Sequence, residues 1–267
     1  MDCRVTSSSA VVLEPLALTD DTFLGGRVQI LQPKSGYRAG LDAVMLAAAI
    51  PTGCANVLDV GAGVGTAGIC LARRDPKVRL TLLEKEPVLS RIASQNVQRN
   101  GLTDRVRVVE CDVGLSQVEL DAAGLKVESF DHVMANPPFH AQEKGTLAPD
   151  QLKASASAMP SDGLVFWARF MARMTQPGGR ATLIHKTEAL TCVLAALDRR
   201  FGALKILPLH PRDGAGANRI IIQGTKGSRA VPVLLPGLVL HRSGNAFTAE
   251  AEAILRAGAA LSMTRVV

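Results

Sequence analysis

The sequence of 267 residues is poor in aromatic side chains: one Trp, one Tyr and seven Phe make up 3% of the chain. That scarcity argues against the extended stacking platforms on which some domains read single-stranded nucleic acid. Cysteine is sparse as well. Cys3, Cys54, Cys70, Cys111 and Cys192 form an odd set with no C-x-x-C spacing. Neither a disulfide framework nor a thiolate zinc site is expected, no metal site is predicted, and reduced thiols fit a cytoplasmic protein. No apolar run approaches the roughly 18 residues of a membrane span, so no membrane partner is expected. The apolar stretch from Ala10 to Leu18 is broken by Glu14 and Pro15 and followed by Asp20 and Asp21, which is not the pattern of a signal peptide.

What is present is ordinary globular material, 47% hydrophobic and 20% charged, in a length suited to one large α/β domain. Thirty Lys and Arg against 24 Asp and Glu give a net charge of +6. That balance is compatible with a polyanionic partner and equally with an ordinary basic surface.

Short apolar strands alternate with longer helical segments. The pattern predicts strands at Asn56–Val60, Val78–Glu84, Val106–Asp112, Asp131–Ala135 and Arg180–His185, with helices at Gly65–Arg74, Val88–Asn100, Leu164–Thr175 and Thr187–Arg200. Asn100-Gly101 and Pro177-Gly178-Gly179 punctuate helix ends. Such alternation predicts a parallel sheet covered by helices on both faces. The last pair, Leu204–His210 and Arg219–Gly224, is joined by a loop too short for a parallel crossover and is read as an antiparallel hairpin. Residues 1–50 precede the alternation and contain a helical stretch, Leu41–Ile50, while residues 141–162 read as a long surface loop carrying Lys144 and Lys153. Trp167 and Phe170 lie at helical spacing and are assigned to the core.

Val57-Leu58-Asp59-Val60-Gly61-Ala62-Gly63-Val64-Gly65 is a strand followed by a glycine turn and a helix start. Glycines there let backbone approach a ligand and present amides at a helix N-terminus. The spacing G-x-G-x-G departs from the dinucleotide fingerprint, and no Lys follows in the P-loop manner, so hydride and phosphoryl transfer are both disfavoured. Three acids stand at the ends of three successive strands. Asp59 can order the turn or reach an ammonium, Glu84 can accept from ribose hydroxyls, and Asp112 can accept from an adenine amine. The turn with Glu84 and Asp112 resembles the class I S-adenosylmethionine-dependent methyltransferases. The resemblance implies S-adenosylmethionine as cofactor and S-adenosylhomocysteine as product. It places Asp59, Gly61, Gly63 and Gly65 near the methionine portion, Glu84 on the ribose, and Asp112 with Val113 near the adenine.

Directly after the fourth predicted strand stands Asn136-Pro137-Pro138-Phe139. Two prolines fix two φ angles and end the strand. The Asn136 side chain and the Pro137 backbone each offer a carbonyl oxygen, a pair of acceptors for a planar amine, and Phe139 offers a ring face. An amine conjugated to an aromatic ring is a poor nucleophile. Two acceptors on its N–H bonds favour pyramidal nitrogen and localise the lone pair, so preorganised dipoles and placement supply the acceleration. The turn resembles motif IV of amino-methyltransferases acting on adenine N6, cytosine N4, guanine N2 or a glutamine amide. Asn136, Pro137 and Phe139 are therefore the candidate catalytic residues, with Asn136 also bordering the cofactor.

A narrower resemblance rests on Leu24–Pro33, Tyr37–Leu46, the glycine turn, the Asn136–Phe139 turn and Asn218–Gly224. These segments look like the bacterial tRNA1(Val) adenine N6-methyltransferases. In that subgroup the lead-in borders the cofactor, which implies roles for Tyr37, Arg38, Gly40 and Asp42; His140 departs from the aromatic or apolar residue expected after Phe139. The resemblance implies a Rossmann-like, seven-stranded α/β sheet in the order 3-2-1-4-5-7-6, mostly parallel with an antiparallel C-terminal hairpin. It divides the chain into an N-terminal extension, 1–50, packing on the cofactor site, and a methyltransferase domain, 51–267. The reaction it implies is methyl transfer to adenine N6 in RNA, with tRNA as partner. Protein glutamine N5 or ribosomal RNA guanine N2 methylation are the alternatives, followed by an oxidoreductase and a non-catalytic binding module. Arg212, Arg219, Lys226 and Arg229 around the last hairpin are candidate phosphate contacts.

Overall fold

The structure, a computed structural model, describes residues 16–36, 38–138 and 161–264. Tyr37, Phe139, His140, Lys144 and Lys153 lie outside the described residues. The chain opens with an antiparallel hairpin, β1 (Leu18–Phe23) and β2 (Val28–Pro33), in register from Leu18↔Pro33 to Phe23↔Val28. Helix α1 (Leu41–Ala49) follows, and then the alternation read from the sequence. It runs β3 (Asn56–Val60), α2 (Thr66–Arg74), β4 (Arg79–Glu84), α3 (Pro87–Arg99), β5 (Val106–Glu110), α4 (Gln117–Ala122), β6 (Phe130–Ala135), α5 (Ser161–Met174) and β7 (Thr175–Lys186). After a short 3-10 turn come α6 (Leu190–Leu197), β8 (Phe201–Arg212), β9 (Arg219–Lys226), β10 (Val233–Leu234), β11 (Leu238–His241) and α7 (Ala249–Ala257).

Strands β5-β4-β3-β6-β7-β9-β8 lie side by side, which is the expected seven-strand order, and β9 is antiparallel to both β7 and β8. Two additional short strands, β10 and β11, pair parallel with β8 and widen the sheet to nine strands. Helices pack on both faces because the inner strands bury both of theirs: Val57, Leu58 and Val60 of β3 and Val133, Met134 and Ala135 of β6 have no measurable exposure. Two apolar cores result, one beneath α1, α2 and α3, the other beneath α5 and α6.

The predicted start of β7 needs adjustment. Pro177-Gly178-Gly179 does not precede the strand but sits inside it, as an irregularity where the β6 register shifts between Phe130↔Thr175 and His132↔Arg180. Regular pairing resumes at Arg180, where the sequence pattern puts the strand. The C-terminal segment returns to the N-terminal half: Leu261 N–H donates to Ala48 O, and α7 packs against α1.

Candidate functional site

The carboxyl ends of the parallel strands form one edge, and at this edge an open α/β sheet binds its ligands. The first turn there is built from glycines with positive φ at alternate positions, Gly61 (64°), Gly63 (58°) and Gly65 (87°), a conformation costly for any side chain. At Gly61 a second constraint applies, since an added Cβ would fall 2.3 Å from Cη2 of Trp167. The turn is tied from three sides. Gly63 N–H donates to Glu84 Oε2 at 2.8 Å, Gly68 N–H donates to Asp59 Oδ2 at 3.1 Å, and Val64 O accepts from Asn96 Nδ2 at 2.9 Å.

Asp59 is 2% exposed, so it orders the start of α2 from inside. Burial pushes its carboxyl up to about 7, against the opposing pull of the Gly68 amide and with a smaller push from Glu84. Glu84 closes β4 and is also raised by burial. Its Oε1 accepts Glu86 N–H at 2.9 Å while Oε2 holds Gly63, and each oxygen retains a second lone pair for a hydroxyl donor. Asp112 stands two residues beyond β5, exposed, with Oδ1 accepting Gly114 N–H at 2.7 Å; Val113 beside it packs against the second core.

The lead-in residues are engaged differently. Arg38 makes an ion pair with Asp21 at 3.0 Å and donates to Thr19 Oγ1 and Pro33 O, so its guanidinium is bound to the β1–β2 hairpin. Gly40 precedes α1, and Asp42 in the first turn of α1 pairs with Arg219 at the start of β9 at 2.9 Å. That pair ties α1 to the same sheet edge. Lys226 and Arg229, grouped with Arg212 and Arg219 from the sequence, sit at the opposite edge. Because β9 is eight residues long, Lys226 emerges beside Thr175 O and Glu128.

Asn136 follows β6 directly. Its Oδ1 is buried and accepts no hydrogen bond among the described residues. Thr66 Oγ1 at the glycine turn and Thr187 Oγ1 just past β7 are buried and unpartnered too. Arg74 and Gln117 also carry buried atoms without a partner, but Asn136, Thr66 and Thr187 gather at this edge, where a ligand can complete their bonding. An acceptor-rich edge with three carboxylates suits a cofactor bearing hydroxyls, an amine and positive charge, and the residues present fit S-adenosylmethionine.

Three contributors escaped sequence reading. Phe170 is core, as expected, but Trp167 is only half-buried and lays its ring over Gly61. Phe166 is 44% exposed, its ring 3.5 Å from where a Cβ on Gly114 would stand, next to Asp112. Asn96 is fully buried and grips the turn from α3. The aromatic pair was visible in the sequence; what was missing is that α5 overhangs the edge at its N-terminal end.

Comparison with known proteins agrees with the geometry. The methyltransferase small domain family matches residues 40–175. A tRNA1(Val) (adenine(37)-N6)-methyltransferase of Porphyromonas gingivalis is 30% identical over 64% of this chain and 67% of its own length. One of the same name from Shewanella putrefaciens is 29% identical over 80% of this chain and 88% of its own. A crystal structure described as a predicted O-methyltransferase from Agrobacterium tumefaciens superposes with a TM-score of 0.69 at 30% identity, covering 82% of this chain and 98% of that one. With the sheet order, the glycine turn and the family match in agreement, the chain belongs to the methyltransferase small domain family and is an S-adenosylmethionine-dependent methyltransferase.

Proposed function

We propose that this protein methylates the exocyclic N6 amine of an adenine in RNA, with tRNA as the substrate. The observation that carries the reading is the buried, unpartnered Oδ1 of Asn136 at the carboxyl end of β6. S-adenosylmethionine, when bound, supplies a methyl group on a cationic sulfur and leaves as S-adenosylhomocysteine. Asn136 Oδ1 and the Pro137 carbonyl accept the two N–H bonds of the incoming amine and hold its lone pair toward that methyl group. The two prolines keep the acceptors fixed, so little reorganisation is needed at the moment of transfer. Once alkylated, the nitrogen loses its proton readily to water and no strong base is required. Phe139 provides the stacking face for the base.

On the cofactor side, the backbone of Gly61, Gly63 and Gly65 approaches the methionine portion, Glu84 accepts from the ribose, and Asp112 with Val113 borders the adenine. Asp59 acts through the turn that it orders. Tyr37, Arg38, Gly40 and Asp42 shape the pocket from the lead-in, Arg38 and Asp42 through their ion pairs with Asp21 and Arg219. Residues 1–50 serve as an extension on the cofactor side of the domain 51–267. Support for adenine in tRNA comes from the relatives of that name. A cytoplasmic location follows from such a substrate. Among the described residues no helix is long and apolar enough to cross a membrane.

The adenine must leave its stack to reach Asn136, which costs a few kcal/mol and less in a loop. The test is incubation with labelled S-adenosylmethionine and total tRNA, followed by digestion to nucleosides. Label in N6-methyladenosine is expected. Label in N2-methylguanosine, or in protein glutamine offered alongside, would replace adenine as the acceptor.

A further inference from the structure

Helix α3 carries Asn96 and is capped at its C-terminus by Asn100, one turn further on, and both side chains meet the free edge of β2. Asn100 Oδ1 accepts Gln29 N–H at 3.1 Å and its Nδ2 donates to Gln29 O at 2.7 Å. Asn96 Oδ1 accepts Leu31 N–H at 2.8 Å and its Nδ2 donates to Leu31 O at 2.9 Å. Each side-chain amide thus does what a peptide unit of a neighbouring strand would do. The match is geometric. Four helical residues rise about 6 Å and two strand residues about 6.7 Å, so side chains at i and i+4 keep step with strand positions i and i+2. The hairpin can therefore seat only in discrete steps of two residues.

The two amides differ in one respect. The second Nδ2 proton of Asn100 goes to Asn96 O, within its own helix, whereas that of Asn96 goes to Val64 O, in the glycine turn between Gly63 and Gly65. Asn96 therefore touches β2 and the cofactor turn at once. Gln32, one residue before the end of the same strand, accepts Ala39 N–H at its Oε1 at 2.8 Å and donates from Nε2 to Asp21, so the chain entering α1 also hangs from β2.

We infer that Asn96 is a positioning residue for methyl transfer: it couples the seating of the N-terminal hairpin to the conformation of the glycine turn, so that hairpin register and cofactor affinity form one equilibrium. The inference rests on S-adenosylmethionine as the cofactor and not on adenine as the acceptor. Coupling of this kind is reciprocal, so cofactor binding must also tighten the hairpin at Leu31.

The experiment compares N96D with N100D in the full chain. Each substitution removes one donor to β2 and keeps the acceptor; only N96D also leaves Val64 O buried without its donor. Titration with S-adenosylmethionine is expected to give a dissociation constant about tenfold higher for N96D, and within about twofold of wild type for N100D. Thermal midpoints should fall for both, which separates the coupling from mere destabilisation. Equal affinities in the two variants would overturn the inference. A second measurement needs no variant. Amide exchange followed residue by residue in the wild type should slow at Leu31 on adding S-adenosylmethionine, and slow less at Gln29. Unchanged exchange at Leu31 would overturn it as well. Failure of the wild type to bind S-adenosylmethionine would remove the cofactor itself, and the Asn96 coupling with it. Methylation of an acceptor other than adenine would leave the Asn96 coupling standing.

Discussion

The two ends of β6 carry side chains of nearly the same shape in opposite conditions. At the first end, Asp131 Oδ2 accepts Ala55 N–H at 2.7 Å and Asn56 N–H at 2.8 Å, fastening β3 to β6 at the edge away from the site. At the last end, Asn136 Oδ1 is buried and accepts nothing from the described residues. A strand whose only task is to fold closes both ends, because an unpaired buried acceptor costs about 1–3 kcal/mol. This strand closes one and leaves the other open, and the open one lies at the strand end next to the glycine turn that follows β3. One end of the strand is finished by the protein, the other by what binds to it.

The sharpest way to break that comparison is Asn136→Ala. Transfer should fall about 10²–10³-fold, roughly 3–4 kcal/mol by analogy with the loss of one oxyanion donor, while the thermal midpoint and S-adenosylmethionine affinity stay near wild type. Single-turnover rates with tRNA and a cofactor titration check both halves; near-native turnover would remove Asn136 from the chemistry. Asp131→Ala should do the reverse. It strands two amides, costs about 1–3 kcal/mol, and lowers the melting temperature by several degrees, with turnover per folded molecule unchanged.

Titration separates the two ends more finely. Near the structural end, His132 is fully buried, its Nε2 2.8 Å from Thr182 Oγ1, and burial, helped by Arg180, pushes it down to about 3. The unfolded chain takes up a proton below pH 6.5 that the folded chain refuses, so His132 makes stability fall as pH drops from 6.5 toward 3. At the site end, Asp59 has its carboxyl raised to about 7 from 3.8. Its contribution is full below pH 3.8 and is lost as pH rises through 7. Thermal melts across this range should show Asp59→Asn gaining on wild type as pH rises, and His132→Gln gaining as pH falls. Parallel curves for either variant would contradict the burial that sets these values. The smallest effect concerns the two sheet edges. Arg212→Ala, at the site edge, should reduce the slope of log affinity against log salt for tRNA by about 0.7. Lys226→Ala, at the far edge, should leave the slope alone in the same filter-binding series.

Much of this was legible because it is local. β3, α2, β4 and α3 follow from period and punctuation, and the glycine turn, Glu84 and Asn136 lie within a few residues of the strand ends that present them. The β1–β2 hairpin was not, because Leu18–Phe23 alternates between exposed and half-buried residues with two acids in the middle and offers no apolar period. It is a strand because β2 pairs with it. β2 in turn is held by Asn96 and Asn100, some 65 to 71 positions away in sequence. The helix α4 is six residues long and rests on a capping box between Ser116 and Glu119, too short for a period to show. Trp167 carried a core signature and is in part core; only the three-dimensional overhang of α5 places its ring on Gly61.

The order β7-β9-β8 has a consequence for synthesis. The chain leaves the ribosome from its N-terminus, so β8 emerges before β9, yet β9 lies between β7 and β8. Until residue 226 is free, the half-made sheet has an unpaired edge at β7, and β8 has no seat of its own beside it. The gap is filled from within, and the hydrogen bond from Leu261 N–H to Ala48 O comes later still. A nascent protein of this topology spends a stretch of translation with a central edge open to other strands, which is when a chaperone has most to protect.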